Sequence, residues 1–336
     1  MKALYLKEKH IFEEKEIPRP QPKDEEVLIK VKSVGVCGSD IHYYEHGRIG
    51  DMIVREPLIL GHEVSGEVIE TGSKVKDLNI GDLVVIEPFV VCGKCEACRT
   101  GRYNLCPEHK FYATPPIDGA LREYVTFDAS FIHKVPEGID PELATLVEPM
   151  AVGVFSSKSV GTGLGDKVII YGSGVVGLCC MISAYSAGAR EVAMVDIRDD
   201  RLKTAEEMGA KFTINPTSDD PGKYCNYFDI AYECSGSEPA LIDASNRVKV
   251  GGRISAIGFH TKMTQEAPIT QMVIKEQQLI ATFRYANSFP IALDIILKNK
   301  EKVKKFITHR FNFDDSEEAF ITARDDKSAI KVMINM

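Results

Sequence analysis

Cys92, Cys95, Cys98 and Cys106 lie within the single run VCGKCEACRTGRYNLC. Thiols at such short, regular intervals converge on one tetrahedral zinc ion, and a chain with this spacing has little other use for them. A four-thiolate site is closed. It ties residues 91–107 into a lobe, and it leaves no position for another ligand. The run therefore predicts a structural zinc lobe.

The body is larger than one core supports. At 336 residues the chain exceeds the size at which a single hydrophobic core stops growing, and two domains are expected. Hydrophobic residues make up 44% and charged residues 27%, and the formal charge is −8. An acidic chain has no general attraction for nucleic acid or for anionic membranes, which leaves small-molecule chemistry. The N-terminus MKALYLKEKHIFEEKEIPRP carries charges every few residues, unlike a signal peptide. No apolar run approaches the roughly 20 residues needed to cross a bilayer. Nine cysteines, an odd number with four clustered, suit metal binding better than a disulfide framework, so a cytoplasmic protein is expected.

Two patterns divide the chain. From Lys2 to about Val135, short runs such as EEVLIKVKSVGV, GHEVSGEVIETG and DLVVIEPFVV alternate with Gly, Pro and Asp, predicting a mostly β domain without a long helical period. PELATLVEPMAVGVFSSKSVG reads as helix, and from Asp166 strands alternate with helices expected at about 174–187, 201–208 and 240–249. That alternation builds a parallel sheet covered on both faces. FRYANSFPIALDIILKNK then begins a helical return that ends in the strand KVMINM. The expected plan is α/β: a β-rich domain from residues 1–150 and 283–336, interrupted by a doubly wound parallel-sheet domain at 151–282.

The interrupting domain opens with Gly172, Ser173, Gly174, Val175, Val176 and Gly177 after the apolar strand KVIIY. In a dinucleotide loop, Gly172 permits the tight turn, Gly174 admits the pyrophosphate to the backbone, and Gly177 allows close helix packing. The helix start supplies N–H groups and positive potential for phosphate. Asp196 ends the next apolar strand, at the spacing where a carboxylate takes the adenosine ribose hydroxyls and repels a 2′-phosphate. NAD is therefore expected over NADP, with Arg198 and Arg201 as cations close by; Arg201 is a candidate for the adenosine end. Cys179, Cys180 and Cys234 fall on apolar stretches and read as small buried side chains.

A second, sparser ligand set precedes the lobe: Cys37 in VGVCGSD, His62 and Glu63 in GHEVSG, and Glu148 in LVEPMAVG. A catalytic zinc needs fewer protein ligands and an open position. No cysteine lies between Cys106 and Cys179, so a carboxylate must stand in for a second sulfur. Glu63 is expected as third ligand, with Glu148 either binding zinc at some stage or holding its water.

These residues resemble a known family. Gly61, His62, Glu63, Gly66, Gly72 and Val75 look like the zinc-containing motif of the medium-chain alcohol dehydrogenases, with a GroES-like catalytic domain and a Rossmann NAD-binding domain. The likeness runs through CGSD, the cysteine lobe, LVEPMAVG, GSGVVG and FRYANSFP. Within that family, CGSDIHYYEHGRIGD, RYNLC, FYATPPIDGAL and FRYAN look most like the polyol dehydrogenases, the sorbitol and xylitol group. The resemblance implies Cys37, His62 and Glu63 as catalytic zinc ligands beside Glu148, and thus two Zn²⁺ per chain. It implies Ser39 and His42 as a proton relay, and Tyr43, Phe111, Glu148, Arg284 and Tyr285 around a polyol. It also implies cofactor contacts at Val176, Asp196 and Arg201, and near the nicotinamide at Ile257, Gly258, Phe259, Thr282, Phe283 and Arg284. All four lobe cysteines are present, unlike in the animal sorbitol dehydrogenases, so the likeness is to a microbial-type member. A homodimer or homotetramer pairing through the nucleotide domain is also implied.

The expected reaction is oxidation of a secondary hydroxyl of a sugar alcohol to a ketose, with hydride passed to NAD. The alternatives are a same-fold dehydrogenase for threonine, butanediol or a sugar, and a non-catalytic NAD-binding redox sensor. Metal content separates the sensor, which would hold one closed zinc.

Overall fold

The computed structural model describes residues 1–220, 222–259 and 266–336. They divide into two compact units: Met1–Glu148 with Ile296–Met336, and Pro149–Ile295. Tyr285, Ala286, Phe289, Ala292 and Leu293 are all buried and group with the second unit.

The first unit is built on a seven-stranded sheet. Its centre is Glu26–Val36, flanked antiparallel by Glu63–Thr71 on one side and by Lys331–Asn335 from the far end of the chain on the other. Its apolar residues Val27, Leu28, Ile29, Val31, Val34 and Val36 are all buried, while Lys30 between them is exposed. The register sets Gly35 opposite Glu63 on one flank and opposite Met333 on the other. The run DLVVIEPFVV is two strands, Leu83–Ile86 and Phe89–Val90. Pro88, which has no N–H to give a ladder, lies in the break between them.

The sequence pattern announces no helix after the central strand. Helix α1 (Gly38–His46) follows the central strand directly, with Cys37 as its N-cap. The Cys37 backbone N–H donates to Asp40 Oδ2 at 3.1 Å, a capping-box contact that satisfies an otherwise orphan donor. Gly47 ends the helix at φ +66°, its N–H returning to the Tyr43 carbonyl at 2.9 Å. Nine residues carry too little periodicity to announce a helix, but the caps fix both ends.

The second unit is a doubly wound sheet. Its elements are β1 (Lys167–Tyr171), α2 (Val175–Ser186), β2 (Glu191–Val195), α3 (Asp199–Glu207), β3 (Phe212–Ile214), β4 (Phe228–Glu233), α4 (Glu238–Arg247), β5 (Val248–Ala256), α5 (Ile269–Ile274) and β6 (Gln278–Ala281). The strands order as β3-β2-β1-β4-β5-β6, all parallel, with the reversal of direction between β1 and β4. Ligands of open α/β sheets sit beyond the strand C-termini at such a reversal. Among the described residues no helix is long and apolar enough to cross a membrane.

Candidate functional site

The first unit holds two groups of metal-binding side chains: Cys92, Cys95, Cys98 and Cys106, and Cys37, His62 and Glu63. Within each, the ligand atoms lie within 4.8 Å of one another.

In the lobe, Cys92 Sγ lies 4.0 Å from Cys98 Sγ and 3.6 Å from Cys106 Sγ. A tetrahedron of Zn–S bonds about 2.3 Å long has sulfur–sulfur edges of about 3.8 Å, so the thiols already stand at the separation the ion demands. Backbone N–H groups support the charge that zinc requires: Cys95 N–H points at Cys92 Sγ and Cys98 N–H at Cys95 Sγ, both at 3.4 Å. The amides of Lys94 and Cys95 lower the Cys92 thiol to about 7, whereas burial raises Cys98 to about 12. The lobe is fastened by Tyr103, whose hydroxyl donates to the buried Glu87 carboxylate, and by its edge contact with Phe89.

The second group is open and asymmetric: one thiol, one imidazole and one carboxylate, a donor set suited to a catalytic zinc. Cys37 directly follows the central strand, His62 directly precedes its neighbour and Glu63 begins it, so adjacent strand ends present all three. Asp40 aims the imidazole. Buried in the first turn of α1, it accepts the Gly61 N–H at 3.2 Å and stands 3.6 Å from His62 Nδ1, an arrangement that leaves Nε2 for metal. Burial acts to lower the His62 pKa, but Asp40 and the Cys37 thiol outweigh it and hold it well above the ordinary value. Metal must therefore displace a proton here, so its affinity falls with falling pH. The ring of Phe111 packs 5.4 Å from that of His62.

Glu63 has a partner that no sequence pattern announces. Both carboxylate oxygens lie 2.7 Å from Lys331 Nζ, which also donates to the Val36 carbonyl at 2.9 Å. The pair is almost wholly buried. Burial alone would lower the Lys331 pKa, but Glu63, Cys37 and Glu148 raise it overall, so the ammonium ion persists. Each carboxylate oxygen has two lone pairs, and Glu63 can accept from Lys331 while ligating a metal. Gly35 makes room: a Cβ there would lie 2.4 Å from Glu63 Oε2.

Glu148 is buried outside the three-ligand cluster, and its charge acts on Lys331 beside Glu63. Ser39 is half-buried and His42 exposed on α1, while Tyr43 is buried with its hydroxyl 3.9 Å from Met52 Sδ. In the second unit, Arg284 takes φ +52° with its guanidinium 5.0 Å from the Phe283 ring. Tyr285 is fully buried against Phe289.

The glycine loop has the shape that phosphate binding needs. Gly172 sits at φ +93°, and a Cβ on Gly177 would lie 1.8 Å from the Gly172 carbonyl oxygen. Gly174 is the N-cap of α2, and Arg201 Nη1 lies 3.9 Å from where its Cβ would be. Val176 is partly exposed in the first turn. Asp196, past the end of β2, accepts the Ser173 N–H at 2.7 Å and the Arg198 N–H at 3.0 Å, so it also ties the loop in place. On the other side of β1, Glu233 at the end of β4 binds the next two turns: its carboxylate accepts from Ser235 and Gly236, and its carbonyl from the amides of Ile257 and Gly258, both at 2.9 Å. Phe259 is left 71% exposed at the strand ends. Thr282 continues β6, its hydroxyl 2.9 Å from that of Ser255.

A zinc-type ligand cluster in a β-rich unit and a dinucleotide loop in a parallel-sheet unit define an NAD-dependent alcohol oxidoreductase. Residues 23–137 match the alcohol dehydrogenase GroES-like domain and residues 175–298 the zinc-binding dehydrogenase domain. The sorbitol dehydrogenase of Gallus gallus is 38% identical over 325 residues, covering 94% of this chain and 91% of that protein. A solved Escherichia coli oxidoreductase of unknown specificity superimposes with a TM-score of 0.94 at 35% identity, covering 99% of this chain and 98% of that one. The E. coli L-idonate 5-dehydrogenase gives 0.93 at 27%, covering 100% and 98%. The chain belongs to the zinc-binding dehydrogenases of the alcohol dehydrogenase family.

Proposed function

We propose that this protein oxidises a secondary hydroxyl of a sugar alcohol to a ketose. The observation that carries the reading is the single-thiol cluster Cys37–His62–Glu63 in a chain whose relatives include sorbitol dehydrogenases at 35–38% identity. Zinc would supply Lewis-acid activation of the hydroxyl, and NAD would take the hydride. The remaining work falls to side chains. Ser39 accepts the hydroxyl hydrogen bond, and the proton leaves by way of His42, whose exposure gives it water as a final acceptor. Asp40 and Phe111 hold the His62 ring in place. A polyol has several hydroxyls, each costing roughly 1–3 kcal/mol if buried without a partner; Glu148 and Arg284 supply polar partners, and Tyr43, Phe111 and Tyr285 limit the apolar boundary. Gly172, Gly174, Val176 and Gly177 take the pyrophosphate, Asp196 and Arg201 the adenosine end, and Ile257–Phe259 with Thr282–Arg284 the nicotinamide.

The test is NADH absorbance with purified, zinc-replete enzyme against sorbitol, xylitol, arabitol, ribitol, L-idonate, threonine and butanediol. A sugar alcohol is expected to give the highest kcat/KM; threonine or butanediol ahead of every polyol would overturn the substrate class. His62→Ala should abolish turnover and release the zinc of the cluster while NADH still binds, and retained turnover would reject the ligand set.

We further propose a cytoplasmic homodimer or homotetramer that pairs through the second unit. Among the described residues strand β6 is one of the two edges of its sheet, and Leu279 on it is 40% exposed. Helix α5 adds Ile269, Val273 and Ile274, each more than half exposed. An unpaired apolar edge is self-complementary about a twofold axis, which favours a second copy of this chain as its cover.

A further inference from the structure

Helix α1 carries two imidazoles that the zinc ligands leave unused. His42 and His46 are four residues apart, both exposed, with ring centroids 5.8 Å apart and planes inclined at 38°. Residues at this spacing lie one above the other on the same helix face, and it is the spacing at which two histidines of a helix grip one zinc ion. We propose that His42 and His46 form a further, solvent-facing chelate for a late divalent cation such as Ni²⁺, Cu²⁺ or Zn²⁺, and that its occupancy inhibits turnover.

The geometry needs little change. Two imidazole nitrogens at about 2.0–2.1 Å from one ion stand about 3 Å apart, and two exposed rings reach that separation by rotation about their side-chain bonds. Among the described residues no hydrogen bond ties up either ring, and the Glu45 carboxylate lies 3.9 Å from His46 Nε2. Glu45 also lies 3.9 Å from Arg324 Nε, a contact loose enough to release it as a third, oxygen ligand. His46 is the last residue of the helix, where the macrodipole favours a cation, and the chain carries a net charge of −8. Imidazole selects nickel, copper and zinc, whereas magnesium and calcium take oxygen, so the site discriminates by ligand type. It is distinct from the Cys37 cluster: His42 is five residues into the helix from Cys37, about 7.5 Å along its axis.

Inhibition follows from which ring is taken. A metal ion on His42 occupies the lone pair that must accept the departing proton. This half rests on the proton path proposed above; the binding half does not.

The experiment uses the zinc-loaded full chain in a non-chelating buffer, titrated calorimetrically with Ni²⁺, and compares wild type with His46→Ala and His46→Gln. Neither substitution touches the proposed proton path, so turnover without nickel should be unchanged. Wild type is expected to bind one Ni²⁺, and each variant to bind it roughly tenfold or more weakly, as loss of one arm of a chelate implies. The nickel concentration that halves NADH formation should rise by the same factor, and Mg²⁺ should neither bind nor inhibit. Identical nickel isotherms in wild type and both variants would overturn the chelate. Nickel binding that depends on His46 but leaves turnover unchanged would instead overturn the inhibition, and with it the assignment of His42 to the proton path.

Discussion

A lysine ammonium ion sealed against a carboxylate is stable only while both partners remain, and Lys331 with Glu63 is such a pair. Removing one partner of a buried pair costs about 3–5 kcal/mol, because the other charge is left without compensation. Here zinc changes the accounting. With a divalent ion on Glu63 the carboxylate keeps a cation even without the lysine. Lys331→Met is therefore expected to lower the thermal midpoint much more in the metal-stripped protein than in the zinc-loaded one. Calorimetric scans with and without a chelator read the difference; equal losses in both states would mean that Glu63 does not face the metal. Asp40 is the other residue whose role came only with the structure. Its place three residues after Cys37 matches the capping-box spacing, so a signal existed, but it pointed to the helix start, while the contact with His62 needed the neighbouring strand.

At the scale of elements, short segments act through the turns that end them. The lobe has only the four-residue helix Glu96–Arg99 and the 3-10 turn Tyr103–Leu105, and little core, as in small units that depend on metal for order. Cys98→Ser is expected to leave one zinc per chain by metal analysis and to expose the lobe to limited proteolysis; two retained zincs would count against a four-thiolate site. In the second unit, the turn after β1 is held by the carboxylate that follows β2. Asp196→Ala should therefore act twice, raising the KM for NAD through a loosened loop and narrowing the preference over NADP by loss of repulsion. An unchanged NAD to NADP ratio of kcat/KM would place the ribose contact elsewhere. The glycine loop was legible because its logic is local: strand, three glycines and helix are consecutive in the chain. Helix α1 was not, being defined by caps and not by an apolar stripe.

At the scale of the whole molecule, the exposed edge of β6 makes assembly a measurable property. Leu279→Asp places a charge on that edge, and light scattering should show a shift toward the monomer, with zinc content unchanged. An unaltered mass would put the contact on another face. The sequence by itself determined what depends on neighbours along the chain: the cysteine spacing of the lobe, the glycine loop with its acidic partner, and the change from short strands to alternating strands and helices. Only the tertiary structure decided that the last strand lies beside the first long one, bringing Lys331 across 268 residues to Glu63, and that the segment 283–295 stays with the second unit. The physical reason is that local motifs are encoded by chain geometry, whereas a buried charge finds its partner through strand register, which is set by the packing of the whole sheet.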